Sequence, residues 1–269
     1  MKTWLWAMLM GLVSPLAAQQ LPYSVTSVKH ATISITPISV TSSRARLLVT
    51  LAIDPGWHVS WRNPGETGLP TRLSWSLPLG VRVVRETWPV PVIAHTSVGA
   101  THTLEGVVPW IVEIAFDRPI ADGEMLVYLT MKYGVCRDVC IPEDQKERGF
   151  IPARISARQG VVSAGLQSRL ARDGGAIAAR RRSPTELCLD RVPLTTTAPW
   201  PEVIADSGLA LDAALKLVPA SGARNHGFVM NIPGDVTLSD GAKILVVQGK
   251  TGVAAQLDFR RPAPGCTAR

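Results

Sequence analysis

The feature that most limits the fold of this chain is a rhythm of short alternating or β-branched runs, broken by turn residues about every ten positions. Between Tyr23 and Phe150 these runs are Ala31 to Ile38, Ala45 to Ile53, Thr71 to Leu77, Val81 to Val84, Val107 to Phe116 and Met125 to Tyr133. Asp54-Pro55-Gly56, Asn63-Pro64-Gly65, Pro78-Leu79-Gly80 and Ala121-Asp122-Gly123 punctuate them. Each run suits a strand, and no helical period lies between them. The expectation is an all-β fold, an antiparallel β-sandwich over residues 20–155.

The period changes after that. Val162, Leu166, Leu170 and Ile177 fall near helical spacing, with Gly174-Gly175 as an interruption and Pro184 as a stop, so residues 156–184 are expected to form a helical connector. Strand-like runs return at Leu209 to Val218, Gly227 to Ile232 and Ile244 to Gln248, which predicts a second, smaller β-domain over residues 185–269.

Lys2, the apolar run Trp4 to Leu16 and the small residues Ala17 and Ala18 read as a secretory signal peptide over residues 1–19. The run is too short to cross a bilayer of roughly 30 Å, and no later segment approaches the eighteen apolar residues a spanning helix needs. The mature chain is therefore expected not to span a membrane. A formal charge of +7 raises the question of nucleic acid, but the charges are scattered and the one dense run is Arg180-Arg181-Arg182. A solvated helix end or linker accounts for that run, and export argues against a nucleic-acid partner.

Four cysteines in an exported chain point to disulfide chemistry before metal chemistry. Cys136 and Cys140 follow a predicted strand, precede a proline turn, and are close enough to meet across a tight loop with Cα atoms within the usual 4.4–6.8 Å. On the chain-entropy model, closing about five residues contributes roughly 2 kcal/mol, and closing about eighty roughly 4.5 kcal/mol. A short bridge is a weak staple, and strained, accessible bridges are the reducible ones. Three readings stay open for the pair: a redox couple, a structural clip in a non-catalytic secreted binding module, and a thiolate metal site completed by His95 or His102. No bound cofactor or metal is expected. Cys188 and Cys266 flank the second β-domain and are candidates for a structural disulfide across a long loop.

Three stretches carry a resemblance to a known family: Gly56-Trp57-His58-Val59-Ser60-Trp61-Arg62-Asn63-Pro64-Gly65-Glu66-Thr67-Gly68-Leu69-Pro70, then Trp88-Pro89, then Cys136-Arg137-Asp138-Val139-Cys140-Ile141-Pro142-Glu143. From Trp57 to Glu143 the chain resembles the N-terminal periplasmic region of the DsbD and ScsB thiol:disulfide interchange proteins. The resemblance implies an immunoglobulin-like sandwich in the periplasm, whose cysteine pair passes electrons between proteins. It implies that Cys140 meets the partner while Cys136 resolves. Thioredoxin-like or disulfide-bearing periplasmic proteins are the implied partners, in work such as cytochrome c maturation or metal and oxidative stress tolerance. Relatives continue into a membrane domain and a thioredoxin-like domain; this sequence runs to Arg269 with neither, so a membrane electron carrier is expected in trans. Thr101-His102-Thr103-Leu104-Glu105-Gly106 replaces the aromatic-rich stretch of relatives.

Around the pair, Arg137 is a candidate for lowering a thiol pKa by its positive charge, and Asp138 for accepting or donating a proton. The alternative for both is an exposed hairpin tip chosen for solubility. Trp57, Trp61, Trp75, Trp88 and Trp110 are expected to fill the sandwich core for the most part. His58 is expected to be a half-buried strand residue, and Asn63 to Gly68 a turn whose glycines adopt positive φ.

Overall fold

A computed structural model describes residues 29–266, apart from 98, 122, 157–159, 195–200, 207–214, 220–226, 234–235 and 237. The expected signal peptide lies outside the described residues, as does much of the run Leu209 to Val218.

The first unit contains β1 (Ala31–Val40), β2 (Arg44–Ile53), β3 (His58–Gly65), β4 (Arg72–Ser76), β5 (Val81–Thr87), β6 (Val92–Thr96), β7 (Gly99–Glu105), β8 (Val107–Phe116), β9 (Glu124–Cys136) and β10 (Cys140–Pro152). They pair into two sheets, β1-β2-β8-β5 and β10-β9-β3-β7-β6, with β4 also on β9. The alternation in sequence becomes the two faces of each sheet. On β2, Ala45, Leu47, Val49, Leu51 and Ile53 point inward, and on β9 the inward set is Val127, Leu129, Met131, Tyr133 and Val135. Each fully buried Leu or Val contributes roughly 1.5–3 kcal/mol of apolar transfer energy, which fixes the register of both strands. Trp61, Trp88 and Trp110 form the centre, meeting edge to face at 6.1 and 5.8 Å between ring centroids.

One helical turn, α1 (Ala164–Gln167), precedes β11 (Arg172–Ser183), β12 (Glu186–Asp190), β13 (Glu202–Ala205), β14 (Leu215–Lys216), β15 (Val218–Pro219), β16 (Gly227–Asn231), β17 (Lys243–Gln248) and β18 (Thr251–Asp258). These pair in the order β14-β13-β17-β18-β11-β12-β16-β15. The two end strands of that order are neighbours in sequence, separated by Leu217 alone, so the sheet bends round a core of its own built on Leu187, Leu189, Val203, Leu217 and Ile244.

The helical connector expected over residues 156–184 is therefore corrected: it shrinks to Ala164–Gln167, and residues from Arg172 are strand. β11 pairs in parallel with β18 and antiparallel with β12, which buries Ile177, Ala178 and Ala179. That burial outweighs a weak helical pattern already broken by two glycines. Arg180, Arg181 and Arg182 accordingly lie on this strand rather than on a linker or helix end.

The two units share an interface. Ile204, Leu245 and Val247 of the second join the hydrophobic cluster of the first. Asn63 Nδ2 donates to the Ala205 carbonyl at 2.9 Å, and Arg62 pairs with Asp206 at 2.6 Å while lying over the rings of Trp61 and Trp88. Burial lowers the pKa of the Arg62 guanidinium, and the Asp206 carboxylate opposes that shift. A cavity of about 620 Å³ opens here, lined by Arg62, Trp88, Asp206 and Lys243 and by no cysteine.

Candidate functional site

β9 and β10 are the two arms of a long hairpin whose register runs from Glu124 opposite Pro152 to Cys136 opposite Cys140. Only Arg137, Asp138 and Val139 separate the cysteines, and the Arg137 N–H donates to the Val139 carbonyl at 3.2 Å across the tip. Cys136 and Cys140 are joined in a disulfide with Cα atoms 4.0 Å apart. The separation is shorter than the 4.4–6.8 Å expected from sequence, because the residues are directly opposed strand partners. It is closer to the ~4.5 Å of a non-hydrogen-bonded antiparallel pair than to the ~5.5 Å of a hydrogen-bonded one. The proline turn expected after Cys140 is likewise absent: Ile141 and Pro142 continue β10. Pro142 suits that place because β10 ends its sheet, where one strand edge needs no N–H.

Side chains alternate across a strand, so the two cysteines share the outer face of the sheet while Tyr133 and Val135 face the core. The sulfurs are unequal. Cys136 is 3% exposed, whereas Cys140 is open to solvent together with Val139 and Ile141. Cys136 is enclosed from the other side by β3, where His58 stands opposite it, half-buried as expected. The segment after β3 then folds over the outer face and sets Leu69 against Gly134, so closely that a Cβ at position 134 would come within 2.7 Å of the Leu69 Cβ. Gly65 and Gly68 take the positive φ values of 82° and 108° that let the chain turn there, although Asn63 to Gly65 still belong to β3.

Arg137 does not wave free at the tip. Its guanidinium lies over the Trp57 ring at 5.0 Å, and Trp57 stacks on the His30 imidazole at 3.8 Å with an 11° tilt. Asp54 Oδ2 is in turn 3.1 Å from His30 Nδ1. A ladder of four side chains thus holds a cation beside the cysteine pair, and the Arg137 Nε donates to exposed Asp138 at 3.1 Å. Trp57 and His30 are the site residues that sequence reasoning missed. Trp57, unlike the core tryptophans, is only half-buried, and its position directly after Pro55-Gly56 is the signal that a turn presents it at the end of the sheet.

On the inner face below the pair, the Gln145 amide donates to the Ala31 carbonyl at 2.8 Å and lies 2.6 Å from the Tyr133 hydroxyl, which itself donates to Glu143 at 3.3 Å. Burial, aided by the Glu143 charge, pushes the Tyr133 pKa up. The phenol stays protonated at neutral pH and ties β9 to β10, while Gln145 braces β10 against β1. The two histidines considered as metal partners are engaged elsewhere: His95 pairs with Glu202 at 3.0 Å and His102 Nδ1 lies 2.9 Å from the Asn63 carbonyl. Cys188 and Cys266 form a second disulfide, with Cα atoms 5.7 Å apart across 78 residues, both buried against Val229. It pins the closing 3₁₀ turn Pro264–Cys266 to β12.

Residues 28–152 match the family model of the thiol:disulfide interchange protein DsbD, N-terminal. The resemblance seen from Trp57 to Glu143 therefore extends over the whole sandwich, residues 28–152. The chain is similar in fold to the N-terminal periplasmic domain of ScsB from Proteus mirabilis, with a TM-score of 0.56 and 16% identity over 89% of this chain and 97% of that one. It also aligns with the N-terminal domain of Neisseria meningitidis DsbD in the reduced form, at a TM-score of 0.24 and 14% identity over 45% of this chain and 84% of that one. No curated protein matches the sequence. Among the described residues no helix is long and apolar enough to cross a membrane.

Proposed function

We propose that this is a periplasmic thiol:disulfide exchange protein in which Cys136 and Cys140 alternate between disulfide and dithiol. The observation that carries the reading is the unequal exposure of the two cysteines, one buried beside β3 and one open beside the apolar residues Val139 and Ile141. A partner thiolate attacks Cys140 Sγ, the Cys136–Cys140 bond breaks, and its electron pair leaves on Cys136 Sγ. The partner's second thiolate then displaces Cys140, so the partner leaves as a disulfide while this protein has gained two electrons and, from solvent, two protons. Reversal of the same steps reduces a disulfide-bearing client. Arg137, held by Trp57, favours the thiolate that each step requires, and Asp138 lies within reach to shuttle a proton. The family match of the sandwich supports the exchange chemistry, the periplasmic location and thioredoxin-like or disulfide-bearing partners.

Trapping tests the assignment. A Cys136→Ala variant is expected to accumulate mixed disulfides through Cys140, because no resolving thiol remains. Cys140→Ala is expected to trap little, since Cys136 is covered. Non-reducing gels of periplasmic extract with mass spectrometry of shifted bands read the result. Trapping by neither variant, or by Cys140→Ala alone, overturns the assignment, and the former favours a binding module with a structural clip.

A further inference from the structure

We propose that the outer face of β4, β9 and β10, running away from the disulfide, is a basic docking platform for the acidic surface of the exchange partner; the inference rests on the exchange reading above. The register puts the even-numbered residues of both long strands on this face, in rows that start at Cys136 and Cys140 and end near Leu126 and Phe150. Ten residues of strand separate those ends, roughly 34 Å at the rise of an antiparallel strand, which is the scale of a small protein's contact surface.

Cations outnumber carboxylates on the face. Lys132, Lys146 and Arg148 project from it, and Arg72 joins them from β4, where it is the strand partner of Lys132. Asp144 neutralises only Lys132, at 3.4 Å, and Glu124 lies at the far end beside Pro152. The others have no carboxylate partner among the described residues. Lys146 Nζ rests over the Tyr128 ring at 4.6 Å, and the Arg148 guanidinium over Phe150 at 5.7 Å. Arg72 donates to the Arg62 carbonyl at 2.6 Å. These contacts hold the cations in place without cancelling their charge, which is what a surface that steers an anionic partner requires.

The exposed apolar groups sit where a docked protein would cover them: Phe150 is 44% and Leu126 36% exposed at one end, with Val139 at 69% by the disulfide at the other. A patch in which aromatic and aliphatic groups alternate with unneutralised cations fits an acidic protein surface carrying a dithiol near its edge. Electrostatic steering of this kind acts on the encounter rate and fades with salt. It leaves the chemistry at the sulfurs untouched.

The probes are two reduced twelve-residue peptides, each with Cys-Gly-Pro-Cys at one end and a tail bearing four Glu or four Lys; extended, twelve residues reach about 40 Å, enough to lie along the face. Reduction of the Cys136–Cys140 bond is followed by rapid alkylation and mass spectrometry, with dithiothreitol as an uncharged reductant. The Glu peptide is expected to react about tenfold faster than the Lys peptide in 20 mM salt and within about twofold of it in 500 mM salt. Lys146→Glu with Arg148→Glu is expected to abolish or invert that preference while the dithiothreitol rate stays the same. Equal rates for the two peptides at low salt, or a preference that survives the charge reversal, overturn the docking inference and leave the exchange reading intact if dithiothreitol still reduces the bond. A bond inert to all three reductants overturns the exchange reading, and the platform with it. Salt-sensitive binding to phosphatidylglycerol vesicles, lost in the charge-reversed variant and unaccompanied by any peptide preference, assigns the face to a membrane surface and overturns the protein partner.

Discussion

Removing the two disulfides in turn distinguishes a working bond from a staple. Cys136 and Cys140 are four residues apart, and Cys188 and Cys266 are 78 apart. With about five residues closed, the chain-entropy expression gives about 2 kcal/mol for the first bridge at 25 °C, and with about 79 closed it gives about 4.5 kcal/mol for the second. Packing widens the gap, because both Cys188 and Cys266 are buried against Val229, while Cys140 stands in solvent. Cys136→Ser with Cys140→Ser is therefore expected to cost at most about 2 kcal/mol, and Cys188→Ala with Cys266→Ala at least about 4 kcal/mol. With a urea dependence near 3 kcal/mol/M, the two variants should melt roughly 0.8 M apart. Urea melts followed by tryptophan fluorescence measure the difference, since Trp61, Trp88 and Trp110 report the core common to both units. Stepwise dithiothreitol reduction with alkylation supplies the kinetic counterpart, with Cys136 and Cys140 labelled first. Equal or inverted stability losses, or earlier labelling of Cys188 and Cys266, would refute the division of roles.

Two further outcomes concern the surroundings of the pair. Trp57→Ala removes the ring under Arg137, so the pH at which Cys140 becomes reactive in the reduced protein should rise by up to about one unit, the size of a single screened cation–thiolate interaction; iodoacetamide rates against pH read this, and an unchanged profile in a folded variant removes Arg137 from the chemistry. Tyr133 has a raised pKa in the folded chain, so folding is unaffected by it below its ordinary value of 10.0 and loses stability as pH climbs above that value, where only the unfolded phenol ionises readily. Tyr133→Phe should flatten the alkaline loss seen in melts between about pH 10 and 12, and an equally steep loss in the variant rules out this phenol as its source.

Much of the sandwich was legible because its signals are local. Period-two alternation in Ala45 to Ile53 and Met125 to Tyr133, with Pro-Gly and Asp-Gly turns between strands, needs no knowledge of distant residues. The end of β3 and the start of β10 are hidden in the sequence because Asn63-Pro64-Gly65 and Ile141-Pro142 read as turns; in the fold both are strand, and Pro142 lies on a strand that ends its sheet. The stretch around Ile177 read as helix from side-chain spacing alone, since nothing local reveals that β18 will offer it a parallel partner.

The same boundary runs through the site. By itself the sequence determined a close cysteine pair, a cation between its members and a second pair spaced to close a long loop, because residue type and spacing are properties of the chain. Tertiary structure alone decided which cysteine is buried, since that follows from the strand register that sets Cys136 between β10 and β3 and leaves Cys140 at the sheet's edge. It also decided that Trp57, His30 and Asp54 stand in line behind Arg137, and that four cations from two hairpin arms and β4 share one face. Pairing across strands joins residues far apart in sequence, and the energy that selects one register is the burial of the opposite, inward face.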